Sequence, residues 1–138
     1  MSPLPSAIAE GAEGTEVVEH QRVSIYELQG YLIYVGRNAT SNEALVTDHK
    51  KEHPKCVWLH AVGQKGPHVV LCTNANGHGD LPVDPMVLRC AASKTIRHGN
   101  GTPNSPKRAI YAPLEDVYKP VKGLPGIFRT WRTTLIEV

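Results

Sequence analysis

Hydrophobic and polar positions divide the chain into short alternating runs and two helical stretches. The most strongly patterned segment is Val57 to Thr73, VWLHAVGQKGPHVVLCT. Its valines, leucines and tryptophan suit a half-buried pleated surface, and they flank Gly63-Gln64-Lys65-Gly66-Pro67, where glycine and proline punctuate. The pattern predicts a β-hairpin with a five-residue connection. In the simplest register Val62 faces His68, His60 faces Val70 and Trp58 faces Cys72. Alternation then puts Trp58, His60, Val62, His68, Val70 and Cys72 on one face. Leu59, Ala61, Val69 and Leu71 take the other, which is the candidate deep core.

Upstream, Arg22 to Leu28 alternates as a strand, Gln29-Gly30 makes a tight turn and Tyr31 to Val35 returns. Pairing Leu28 with Tyr31 places Tyr26 opposite Ile33 and Ser24 opposite Val35, with an apolar face turned inward. Gly36-Arg37-Asn38 is a sharp exit, after which Thr40 or Ser41 caps a short helix reaching about Lys51. His53-Pro54-Lys55 ends that helix and feeds the hairpin. Asp84 caps, and Pro85 opens, a second helix to Arg97, with Met86, Leu88, Cys90 and Ala91 as its apolar stripe. Residues 74–80 and 98–106 are polar loops, the latter mobile by composition. Arg108 to Ala112 is a strand. A turn and a short strand follow within residues 114–121, and Ile127 to Trp131 and Thr133 to Val138 are strand-like. Residues 1 to 20 show no sustained periodicity and read as a flexible tail. The expectation is one α+β domain over residues 21–138, a mostly antiparallel sheet with two main helices.

Composition narrows this. A chain of 138 residues is one domain's worth and long enough to bury a core. Its three cysteines, Cys56, Cys72 and Cys90, cannot all pair within the chain, and no secretory pattern precedes them. They read as reduced thiols of an intracellular, cytoplasmic protein, or an organellar one had a transit peptide been removed. No apolar run approaches a membrane span. The net charge of +2 hides an asymmetry. Residues 1–86 carry 6 Lys/Arg against 10 Asp/Glu, whereas residues 87–132 carry 9 against 2. A basic half is a possible footprint for a polyanion; uneven charge on a solvated face is the plainer alternative.

Taken in order, several pieces resemble one family. Tyr34-Val35-Gly36-Arg37-Asn38 with Asn42 and Leu45 is similar to the "VGRN…N…L" opening of the NFACT-R domain. Trp58-Leu59-His60 is similar to its "WxH", and Gly66-Pro67-His68-Val69-Val70 to its "GSHV". Ala91-Ala92-Ser93 resembles its small-residue helix, and Lys119-Pro120-Val121 with Pro125-Gly126 its late "K…PG" turn. The resemblance covers about residues 22–138, and its specificity lies in the order and spacing of the pieces. That domain sits within the NEMF/fibronectin-binding-A-type ribosome quality-control factors and also occurs alone. The resemblance implies an RNA-binding domain, with DNA bound by some members, acting near ribosomes that carry stalled peptidyl-tRNA. The chain lacks the neighbouring domains of those factors, so a binding module is implied, not their whole activity. Two positions depart from the pattern. Cys56 stands where an acidic residue often precedes the tryptophan, and Pro67 stands in place of the usual serine.

The leading expectation is therefore a nucleic-acid-binding module, monomeric, taking tRNA, rRNA or another nucleic acid, with the ribosome as a further partner. Arg37, Lys65, Lys94, Lys107, Arg108 and Lys119 are the candidates to neutralise phosphates. Asn38, Asn42, His60 and His68 are candidates to hydrogen-bond phosphate, sugar or base edges. Trp58 or Tyr34 is a candidate to stack an unpaired base, although a strand tryptophan is more often packed inside. Three alternatives stand beside this. Cys56, His60, His68 and Cys72 share a face and suit zinc in type, but no CxxC, HxH or HExxH spacing is present. Along a strand, Cys56 to His60 spans about 13 Å, too far for one tetrahedral ion. A cysteine–histidine catalyst lacks a paired carboxylate or any sign of a lowered thiol pKa. A protein-docking module fits the basic half equally well. No catalytic residue, metal or cofactor is expected.

Overall fold

The computed structural model describes residues 15–20, 23–63, 65–73, 83–97, 107–120 and 124–138. Its elements are β1 (Thr15–His20), β2 (Val23–Leu28), β3 (Tyr31–Gly36), α1 (Ala39–Glu52), β4 (Val57–Ala61), β5 (Val69–Thr73), α2 (Pro85–Arg97), β6 (Arg108–Pro113), β7 (Val117–Tyr118), β8 (Arg129–Thr130) and β9 (Thr134–Glu137). Seven strands form one sheet in the order β1-β2-β3-β5-β4-β6-β9, and β7 and β8 form a separate two-stranded ribbon. Every pairing is antiparallel. The protein is an α+β domain of two helices and an antiparallel sheet.

One helix covers each face. Val87, Leu88, Cys90, Ala91 and Ala92 of α2 pack on Val57, Leu59, Val69 and Leu71, the face expected to form the deep core. On the other side Leu45 and Val46 of α1 pack on Cys56, Trp58, Val70 and Cys72, joined by Leu114 and Val117. Burying each such leucine or valine side chain stabilises the fold by about 1.5–3 kcal/mol, so the two layers together hold the central strands in place. Asp84 caps α2 as expected, its Oδ1 accepting the Met86 N–H at 2.9 Å. The β2–β3 hairpin has the expected register, Leu28 with Tyr31 and Ser24 with Val35. Its turn is made by Gln29 and Gly30, both left-handed at φ 52° and 82°.

Five details differ from the sequence expectations. The β4–β5 register is displaced by two residues, with Trp58 paired to Val70 and Val57 to Leu71. A slip of two keeps every side chain on its expected face, because the side-chain period is also two. The connection is longer than expected. β4 ends at Ala61, and Val62 donates to the Arg108 carbonyl at 2.9 Å instead of continuing towards β5. The displacement also brings Cys56 opposite Cys72, where they form a disulfide, so the reading of all three as reduced thiols is corrected. Cys90 is free and buried.

Residues 15–20, expected within a flexible tail, form β1 on the edge of β2. The register skips between Glu16 and Val18, and that bulge removes the alternation that would have marked a strand. Residues 1–14 and both polar loops, 74–80 and 98–106, lie outside the described residues. Finally, α1 begins at Ala39, and its cap is Asn38, not Thr40 or Ser41. Among the described residues no helix is long and apolar enough to cross a membrane.

Candidate functional site

An open cleft of about 870 Å³ lies across the end of the sheet where β3, β4 and β5 meet the α1 corner. Its walls are built from three pieces far apart in sequence.

The first is the strand-to-helix corner. Asn38 Oδ1 accepts the Ser41 N–H at 2.8 Å, and Ser41 Oγ accepts the N–H groups of Arg37 and Asn38 at 2.8 and 3.0 Å. This reciprocal capping satisfies donors that a helix start leaves open. It also engages the side-chain oxygen of Asn38, which the sequence had suggested for a phosphate, sugar or base edge. Arg37 is exposed on the rim, and its Nη1 donates to Ser24 Oγ at 3.2 Å.

The second piece is the aromatic and imidazole cluster of β4 and β5. His60 and His68 have ring centroids 4.7 Å apart, and the Trp58 ring lies 6.0 Å from His60 and parallel to it. Trp58 Nε1–H donates to His68 Nδ1 at 2.8 Å. An indole can only donate, so the neutral His68 carries its proton on Nε2. Burial, helped by the neighbouring His60, pushes His68 down to about 3, against a backbone hydrogen bond with Gly126 that favours the charged form. Burial also lowers His60, opposed by backbone hydrogen bonds with Ala61 and Gly66. The Asn42 side chain anchors this piece to the first, its Oδ1 accepting the His68 N–H at 3.1 Å.

The third piece is the segment 124–128. Glu43 of α1 holds it by accepting from Gly126 N–H and from Lys119 Nζ, each at 2.8 Å. Partial desolvation raises the Glu43 carboxyl, but hydrogen bonds from Lys119 and Gly126 outweigh it and leave the group below its ordinary value. Lys119 also donates to the carbonyls of Leu124 and Ile127 at 2.9 and 3.4 Å. Phe128 then packs edge-on against His68, centroids 5.6 Å apart.

The cleft thus gathers Arg37, Asn38, Asn42, Trp58, His60, Lys65 and His68 from the residues picked out in the sequence. They have different roles in it. Lys65 and Arg37 are exposed and His60 is half-buried. Trp58 and His68 are 3% and 5% exposed and serve as its packed floor, so the expectation that Trp58 stacks a base gives way to core packing. Lys94 is not part of the cleft wall. It is 3% exposed on α2, with Nζ 3.6 Å from the centre of the Tyr26 ring. Lys119 is a structural clamp, not a rim cation. Lys107 is exposed at the start of β6. Arg108 lies on the same strand face as Ile110, which lines the cleft. The sequence reading missed Glu43 and Phe128, since their contacts join distant parts of the chain: Glu43 meets Lys119 and Gly126 from 76 and 83 residues away, and Phe128 meets His68.

Among the described residues no group of three His, Cys, Asp or Glu side chains is placed to hold a metal ion. The disulfide also removes Cys56 and Cys72 as thiolate ligands.

No protein-family model and no curated protein sequence matches this chain. In structure it is similar to the C-terminal of the fibronectin/fibrinogen-binding protein from Streptococcus suis, with a TM-score of 0.71 and 20% sequence identity. The match covers 90% of this chain and 47% of that one, so the chain spans about half the length of that structure. The likeness establishes a shared fold.

Proposed function

We propose that the chain is an RNA-binding module, taking tRNA or rRNA across the cleft at the end of its sheet, in the setting of the ribosome. The observation that carries the reading is the make-up of that cleft: a rim bearing the exposed Arg37 and Lys65 around a floor of neutral imidazoles. A cationic rim draws in a phosphate backbone and releases its counterions. The half-buried His60, its Nδ1–H held by the Ala61 carbonyl at 2.9 Å, is the imidazole we assign to a sugar or base edge. Arg108, on the strand face that it shares with the cleft-lining Ile110, adds a positive charge on the cleft side of β6. The resemblance to NFACT-R domains supports the same reading and suggests ribosome quality control as its setting. The role assigned is binding, without catalysis.

A second reading, docking on a protein, is favoured by Leu124 and Ile127 beside the cleft, 75% and 52% exposed. Salt separates the two, because phosphate contacts weaken steeply with ionic strength and apolar contacts do not. The test is fluorescence anisotropy of labelled RNA over a salt series. Arg37→Ala and Lys65→Ala should each weaken binding and reduce the salt slope by about one. Unchanged affinity in both variants removes the cleft rim from the account.

A further inference from the structure

The β7–β8 ribbon has one buried and one open face. Val117 pairs with Thr130, and Tyr118 with Arg129. Val117 is fully buried in the core under α1, and Phe128 packs against the same cluster. Alternation therefore sends Tyr118, Arg129 and Trp131 to the opposite side. There the Trp131 indole stacks on Tyr118, with centroids 4.2 Å apart and planes 21° apart.

Trp131 is nevertheless 69% exposed. Most tryptophans bury far more of themselves, so this one forgoes a large hydrophobic gain. It is not loosely held. Its backbone N–H donates to the Asp116 carbonyl at 3.0 Å, and Arg132 reaches the Asp116 carboxylate at 3.6 Å. Arg129 and Arg132 are both exposed beside it. An exposed aromatic ring held in place, with exposed arginines next to it in the chain, suits a single-stranded nucleic acid. Every base has a face to stack, and the adjacent phosphates meet the arginines. Phe128, which lines the cleft, leads directly into β8, so the platform follows the cleft wall along the chain.

We propose that Tyr118 and Trp131 form a stacking platform for an unpaired base of the same RNA, an inference that rests on the RNA-binding reading above. Trp131, not Trp58, is then the base-stacking tryptophan.

The chain's other tryptophan, Trp58, is 3% exposed, so quenching by acrylamide reports mainly on Trp131. The probes are oligoadenylate of about 12 nucleotides, single-stranded and annealed to its complement. The single strand should shield Trp131 from acrylamide, and the duplex should not. Trp131→Ala should weaken single-strand binding roughly tenfold, and Trp131→Phe should restore most of it. If Trp131→Ala binds the single strand as the native chain does, while Arg37→Ala and Lys65→Ala weaken it, the platform is overturned and the cleft reading stands. Equal shielding by the duplex also overturns the platform. If the native chain binds neither probe, both readings fall together.

Discussion

Gly36 has no room for a side chain. A Cβ there would stand 1.9 Å from Asn42 Oδ1, the same oxygen that accepts the His68 N–H. Gly36→Ala is therefore expected to cost about 2 kcal/mol or more, because relieving the clash means giving up a buried hydrogen bond. In an Asn42→Ala background the added cost should shrink, which a double-mutant cycle in urea would register. His68 makes a second prediction. Its ring stays neutral down to about pH 3 in the fold, against 6.5 when free. Below pH 6.5 the unfolded chain takes up a proton that the folded chain refuses. The His68 contribution is thus complete above that pH and lost progressively as pH falls towards 3. At about 1.4 kcal/mol per unit, the loss by pH 5 is about 2 kcal/mol. His49 and His60 are lowered chiefly by burial and add in the same direction. Urea titrations of the native chain and His68→Gln at pH 7 and pH 5 check this: the native chain should lose more stability, by about 2 kcal/mol. Equal losses would show that His68 is not held neutral.

At the scale of elements, the legible parts were those set by local pattern. The Gln29-Gly30 turn fixed the β2–β3 register, and Asp84-Pro85 fixed the start of α2. The β4–β5 hairpin was legible in its faces but not in its register. Alternation determines which side a residue takes, whereas the register depends on where Val62 leaves the ladder, a bond made to distant Arg108. The Cys56–Cys72 pairing was hidden for the same reason, since it follows from that register. β1 escaped because its bulge hides the alternation. The disulfide gives this scale its prediction. Unfolding without reductant should expose only Cys90 to alkylation, and reduction should expose all three cysteines. The two half-cystines are 16 residues apart, so reduction should cost about 3 kcal/mol by the loop-entropy relation. Three labelled thiols in the unreduced chain would contradict the disulfide.

Across the whole molecule, the charge asymmetry of the sequence does not map onto the cleft. Lys94 and Lys119, from the basic half, are spent inside the fold on Tyr26 and on Glu43. Arg37 and Lys65 on the rim come from the half that is acidic overall. A chain's net charge by segment says which polyanions it tolerates, but only folding decides which cations reach solvent together. The site itself was half legible. Gly36 to Asn42, His60 and Lys65 to His68 were picked out, and they do converge. The clamp of Glu43 on Lys119 and Gly126 was not, because no local spacing joins α1 to the segment 124–128.

The most direct test of RNA binding at this cleft is an NMR titration of the labelled chain with single-stranded and structured RNA at low and moderate salt. Shifts that cluster at Gly36 to Asn42, His60 and Lys65 to His68, and that shrink as salt rises, are the expected result. A chain whose spectrum stays unchanged with every RNA, or whose shifts lie away from the cleft and ignore salt, would contradict it.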